Sequence, residues 1–167
     1  DPGLDIDGHD TAHKAAILAA LAYGGVVPMG EVHVEGIRGL SIRDIRYAHD
    51  LGYRIKLLAV IRRPGDEVEI RVHPALVPLG SMLASVNGVF NACFVRGDVV
   101  GDTLFYGRGA GKDATASAVL SDVADAALDL KLGGQVRVSP FNACAKKGRV
   151  VPMADITSRY YLRLSVV

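Results

Sequence analysis

Tyr53-Arg54-Ile55-Lys56-Leu57-Leu58-Ala59-Val60-Ile61 is an apolar, β-rich run, and Arg63-Pro64-Gly65-Asp66 follows it as a turn. Val68-Glu69-Ile70-Arg71-Val72 then alternates apolar and polar residues, the period of a half-buried strand. Two strands joined this closely predict a hairpin. Upstream, Ser41 to Leu51 reads as a helix, with Ser41 as N-cap, Asp44 at its third position and Gly52 as its stop. Further upstream, Asp10 to Tyr23 reads as another, capped by Asp10 or Thr11 and ended by Gly24-Gly25. Downstream, Val86 to Arg96 and Val99 to Tyr106 are strand candidates joined at Gly97-Asp98 or Gly101-Asp102. Asp113 to Leu130 is a third helix, with Ala116, Val119, Leu120, Val123, Ala127 and Leu130 at helical spacing. Gly133 to Pro152 is weakly patterned and reads as loop with a short strand. Adjacent strand pairs without regular βα alternation predict an α+β fold, a mixed, largely antiparallel sheet with helices on one face.

The chain has 167 residues, 50% hydrophobic and 22% charged, with 19 Lys+Arg against 18 Asp+Glu. One core suffices at that length, and folding should bury about 70% of the unfolded surface. A net charge of +1 leaves no basic footprint, so nucleic acid is not an expected partner. The longest uncharged stretch, Ala15 to Gly30, is shorter than the ~20 apolar residues of a membrane span and is interrupted by Gly24-Gly25 and Pro28. Asp1-Pro2-Gly3 is not the basic start of a signal peptide. Cys93 and Cys144 lack metal-site or redox spacing and read as reduced, buried thiols. The expected compartment is the cytoplasm. At the far end, Leu162, Leu164 and Val166 alternate with Arg163 and Ser165, so Tyr160 to Val167 reads as a strand. It either joins this domain's sheet or opens a further domain.

The densest polar cluster is Asp5-Ile6-Asp7-Gly8-His9-Asp10-Thr11-Ala12-His13-Lys14, at the mouth of the first helix. Asp10 and Lys14, four apart, project from one face, which Lys14 shares with the apparent core residues Ile17, Leu18 and Leu21. One reading is a solvated ion pair with Asp5 and Asp7 as turn residues. The other is a proton-transfer lysine held by carboxylates that also bind an ammonium group. His9 and His13 have a spacing that can bind metal, but no HExxH glutamate lies between them, and no metal site is assigned.

Tyr106-Gly107-Arg108-Gly109-Ala110-Gly111-Lys112 runs from a strand into a helix, the context of a phosphate-cradling loop. It fits neither the Walker A pattern nor GxGxxG. A tight turn needing positive φ and a close backbone approach to a ligand both remain open. Glu35 reads as a cap before the second helix, and Lys56 as an outward strand residue.

Taken together, these blocks resemble homoserine dehydrogenase. The match is carried by Asp5, by Asp7-Gly8-x-Asp10-x-Ala12-x-Lys14 and by Glu35-Gly36-Ile37. It continues through Leu51-Gly52-Tyr53-x-Ile55-Lys56-Leu57-Leu58-Ala59, Pro74-x-Leu76-Val77-Pro78 and Val86-Asn87-Gly88-x-x-Asn91. Tyr106-Gly107-x-Gly109-Ala110-Gly111-x-x-x-Thr115-Ala116-Ser117-Ala118-Val119 completes it. The resemblance implies interconversion of aspartate 4-semialdehyde and homoserine with NADP or NAD, in threonine, methionine and isoleucine biosynthesis. It implies Lys14 as proton donor, Asp10 at the hydroxyl end, Asp5 near the substrate ammonium, and Gly109, Ala110 and Gly111 against the cofactor.

It also implies that residues 1–156 form the catalytic domain, that a nucleotide-binding domain precedes Asp1, and that 157–167 open an ACT-like regulatory domain. Without the upstream domain the isolated chain is expected to be inactive, and a homodimer or homotetramer is expected. Two positions depart from the family pattern. Gly80-Ser81-Met82 stands where members usually have His-Pro, and Ala114 where they usually have Pro. A non-catalytic dimerisation module would bury the same core. Retention of Asp5, Asp10, Lys14 and the triple-glycine turn favours the enzyme.

Overall fold

The computed structural model describes residues 2–109, 111–133 and 149–165. Its helices are α1 (Gly3–Ile6), α2 (His9–Tyr23), α3 (Ile42–Asp50) and α4 (Lys112–Leu132). The strands are β1 (His33–Val34), β2 (Tyr53–Arg62), β3 (Glu69–Pro78), β4 (Phe90–Gly97) and β5 (Gly101–Arg108). This is the expected α+β class, but the strands fall into two small sheets, one of order β1-β3-β2 and one pairing β4 with β5. Periodicity identifies strands and is silent about which of them become neighbours. The chain divides into two units, each described on its own: the described residues of Asp1–Gly39, Leu57–Pro74 and Pro140–Val167, and those of Leu40–Lys56 and Ala75–Ser139.

The first unit holds a core of Ala12, Ala15, Ala19, Val27, Val32, Val68, Ile70, Val72 and Val150. The helix buries its alanines, each at most 1% exposed, while Ile17, Leu18 and Leu21 lie exposed. The expectation that those larger residues mark the core side is therefore corrected. Small side chains let α2 approach the sheet closely, and a Cβ on Gly8 would already stand 3.2 Å from Val34 and Val72 methyls. Strand β1 runs parallel to β3, with His33 opposite Arg71 and Val34 opposite Val72. Beside this core Arg71, itself buried, pairs with Glu69 and donates through Nε to His73 Nε2 at 3.0 Å.

Strand β3 runs past its expected end at Val72 to Pro78. Pro74 removes one ladder donor and makes the pattern look finished. Within the weakly patterned stretch, Val150 forms a parallel bridge with Val68, and 134–148 lie outside the described residues. Residues 160–165 belong to no strand, which corrects the terminal-strand expectation over that range. Alternation alone does not make a strand when no ladder partner is within reach.

In the second unit Ser41 caps α3 as expected. Its Oγ accepts from the Asp44 N–H at 3.3 Å, and Asp44 Oδ2 accepts from the Ser41 N–H at 3.0 Å, a reciprocal capping box. The β4–β5 hairpin is antiparallel, from Phe90 opposite Arg108 to Gly97 opposite Gly101. Phe90 stacks on Tyr106 with centroids 4.9 Å apart, and Arg96 forms a two-pronged pair with Asp102 at 2.6 and 3.0 Å. Helix α4 buries none of its residues, so the apolar face expected on it is exposed.

Candidate active site

The cluster at the head of α2 is built by a backbone that turns twice. One turn of α1 places Asp5, whose side chain is exposed and whose carbonyl accepts from the Gly8 N–H at 3.2 Å. Gly8 then takes φ +85°, a left-handed conformation that costs glycine little, and α2 starts at His9. The expected Asp10 or Thr11 cap is absent, because the chain enters through this glycine and no side chain caps the helix.

A second strand of chain clamps that entry. The Ile37 N–H donates to Ile6 O at 2.9 Å, and the Glu35 N–H donates to Val72 O at 2.8 Å. Glu35 thus holds the site through its backbone, while α3 is capped by Ser41. Gly36 lies so close that a Cβ would stand 2.6 Å from Asp7 Cα and collide with Ile6 O. Next to it Arg38 grips Asp7 with both prongs, Nε to Oδ1 at 2.8 Å and Nη2 to Oδ2 at 2.9 Å. These hydrogen bonds hold the Asp7 carboxyl below its ordinary range and raise the Arg38 guanidinium. The sequence reading missed Arg38. Thirty-one residues separate it from Asp7, and no local spacing signals the pair.

Within this frame Lys14 Nζ donates to Asp10 Oδ2 at 2.5 Å. The two side chains are 58% and 41% exposed. An exposed i,i+4 pair of this kind stabilises a helix by about 0.5 kcal/mol at most. Asp10 and Lys14 are brought together. Asp5 sits in α1, before the Gly8 turn, and is exposed. His9 and His13 are both exposed, and no metal-holding group of three or more His, Cys, Asp or Glu forms among the described residues.

The glycine turn belongs to the second unit. Gly109 donates its N–H to Val89 O at 3.0 Å, and a Cβ on it would collide with the Asn91 side chain. Gly111, at φ +124°, is the N-cap of α4, which no side chain caps. Ala110 lies outside the described residues. Of the three glycines, Gly107 lies within β5 with open space beside it, only Gly111 takes positive φ, and Gly109 is required by close approach. Lys56, expected to point outward, is half-buried and donates to Val86 O and to Asn87 Oδ1, the latter at 3.1 Å.

Comparison with known proteins agrees with this architecture. The homoserine dehydrogenase family model matches residues 1–124. The homoserine dehydrogenase of Neisseria gonorrhoeae is 47% identical over 167 residues, covering 98% of this chain and 38% of that protein. A crystal structure of a homoserine dehydrogenase from Thiobacillus denitrificans matches with a TM-score of 0.85 at 42% identity, over 93% of this chain and 37% of that one. A hyperthermophilic archaeal homoserine dehydrogenase in complex with NADPH matches at 0.61 and 32% identity, over 77% of this chain and 35% of that one. The chain therefore spans well under half the length of the relatives it matches. No helix among the described residues is long and apolar enough to cross a membrane. With a family model covering most of the sequence and a shared fold beneath it, the chain belongs to the homoserine dehydrogenase family.

Proposed function

We propose that this chain supplies the substrate-binding and catalytic part of an NAD(P)-dependent homoserine dehydrogenase. The reaction interconverts L-aspartate 4-semialdehyde and L-homoserine, toward threonine, methionine and isoleucine. The observation that carries the reading is Lys14, held by Asp10 at 2.5 Å on the first turns of α2. Lys14 Nζ carries the proton that the substrate oxygen takes up as the aldehyde becomes an alcohol, and receives it in the reverse direction. Asp10 aims that ammonium and contacts the hydroxyl end. Asp5 offers its exposed carboxylate to the substrate ammonium.

The nicotinamide, NADP or NAD, supplies or accepts the hydride when bound. Gly109, Ala110 and Gly111 are the residues assigned to meet it. The described part of the turn fits an anionic cofactor: bare glycine backbone precedes a 21-residue helix whose first N–H groups have no side-chain cap. In this reading residues 1–156 are the catalytic domain and 157–167 open an ACT-like domain. The protein acts as a homodimer or homotetramer, to which exposed Phe94, Val95 and Phe105 on the hairpin lend support. Both reactants are small and water-soluble, so the reading places the reaction in the cytoplasm.

Lys14→Ala in a polypeptide of full family length tests the assignment. Its kcat is expected to fall by about 10² to 10⁴ with the fold intact, the range of general acid–base catalysis. Turnover equal to the parent enzyme's sinks it.

A further inference from the structure

A lysine on a strand ordinarily extends its ammonium into water. Lys56 instead lies half-buried on β2 and spends its donors on the segment after the single-turn helix Met82–Ser85, at Val86 O and Asn87 Oδ1. Arg54, two residues earlier and so on the same strand face, donates Nη1 to Ala84 O at 2.9 Å. Asn87 Nδ2 donates to Ser85 O at 2.9 Å, which turns its Oδ1 toward Lys56. Two neighbouring cations therefore hold the end of one short helix and the two residues that follow it.

The segment so held leads directly to the glycine turn. Val89 O accepts the Gly109 N–H at 3.0 Å, and the Asn91 side chain occupies the space a Cβ on Gly109 would need. Asn91 and Gly107 are also paired in the ladder. A shift of Val86–Asn91 thus moves Gly109 with it.

We propose that Lys56 is a positioning residue, which sets the Gly109 backbone through the Val86–Asn91 segment and thereby tunes nucleotide affinity. This rests on the reading that the turn abuts the cofactor. Burial pushes the Lys56 ammonium below its ordinary range, and the nearby Arg54 charge pushes the same way. A cation kept in place against both is one whose hydrogen bonds matter there.

The test is made in a polypeptide of full family length. Lys56→Met keeps the stem and removes the charge and donors. It is expected to raise the nucleotide KM about tenfold, the loss of one charged hydrogen bond, while kcat stays within about threefold. Lys56→Arg, which keeps the charge and donors, should recover most of that affinity. Amide exchange gives a readout independent of turnover: Gly109 should exchange faster in Lys56→Met, and Ala15 and Ala19 of α2 should not.

Four results overturn the proposal, and they separate it from the reading beneath it. If NADPH or NADH fails to protect the Gly109 and Gly111 amides of the parent enzyme, both fall. If it protects them and Lys56→Met leaves the nucleotide KM unchanged, only the role of Lys56 falls. Equal acceleration in α2 and in the turn would mean general loosening and also overturns it. Should Lys56→Met not accumulate, Asn87→Ala removes one of the two acceptors; a smaller rise in nucleotide KM supports the proposal and an unchanged value overturns it.

Discussion

Helices α2 and α4 carry the same kind of message in sequence and meet opposite fates. In α4, Val119, Leu120 and Val123 recur at helical spacing, yet its large apolar residues are 52% to 86% exposed, from Leu128 to Leu130. In α2 the large residues are exposed too, and alanines are buried against Ile70 and Val72. Hydrophobic periodicity announces that a face is suited to burial. Whether it is buried depends on what the rest of the structure brings to it. The first unit rests on a continuous core, whereas the second shows smaller separate devices: a capping box, a stacked hairpin and, across thirty residues of chain, a helix end held by cations.

The sharpest break between the units should come from equal truncations. Ile70→Ala, at a site 1% exposed, is expected to cost about 2–5 kcal/mol. Leu120→Ala, at 67% exposed, should stay within about 0.5 kcal/mol in chemical denaturation of residues 1–167. A loss above ~1 kcal/mol at Leu120 would mean that something covers α4 in solution, and sedimentation would show whether it is a second copy. Ala15→Leu tests the alanine face itself. Adding bulk where α2 lies close to the sheet should destabilise by about 1–3 kcal/mol, read as a lower denaturation midpoint with unchanged slope. A neutral result would mean that α2 is free to move outward.

In the second unit, Ser41→Ala removes a cap and should cost ~1 kcal/mol, with Ser41→Asn recovering most of it. If the loss is nil, α3 is not held locally and the contrast between the units weakens. The smallest effect concerns pH. Asp7 lies below its ordinary pKa because Arg38 hydrogen-bonds its charged form. Its contribution is complete above about pH 4 and is lost as pH falls through the lower folded value. Asp7→Asn should therefore flatten the stability profile below about pH 4 and leave the slope near neutrality unchanged. Parallel acid profiles would show that the pair adds no proton-linked stability.

Much of the local structure was legible. Ser41, Asp44 and Gly52 bracket α3 by side-chain chemistry alone, and the apolar run from Tyr53 ends one residue short of the observed β2. Asp10 and Lys14 needed only helical spacing to be placed together. What stayed hidden depends on separation in the chain. Arg38 meets Asp7, Lys56 meets Val86, and Asn91 meets Gly109, in each case across a gap that periodicity does not cover. The entry through α1 and Gly8 was hidden for another reason: Asp10 and Thr11 offered a good cap, and tertiary packing overrode it.

The contact of Gly109 with Asn91 also constrains the order in which these positions can change. Any side chain at 109 strikes the Asn91 amide, so a first step there meets a collision whatever residue is chosen. A first step to Gly at 91 opens the space and leaves the Gly109–Val89 hydrogen bond in place, whereas Ala would keep a Cβ 2.9 Å away. The two sites are therefore coupled and non-additive, with one passable route and one blocked. In a combinatorial library over both positions, non-glycine residues at 109 should be recovered almost solely alongside Gly at 91.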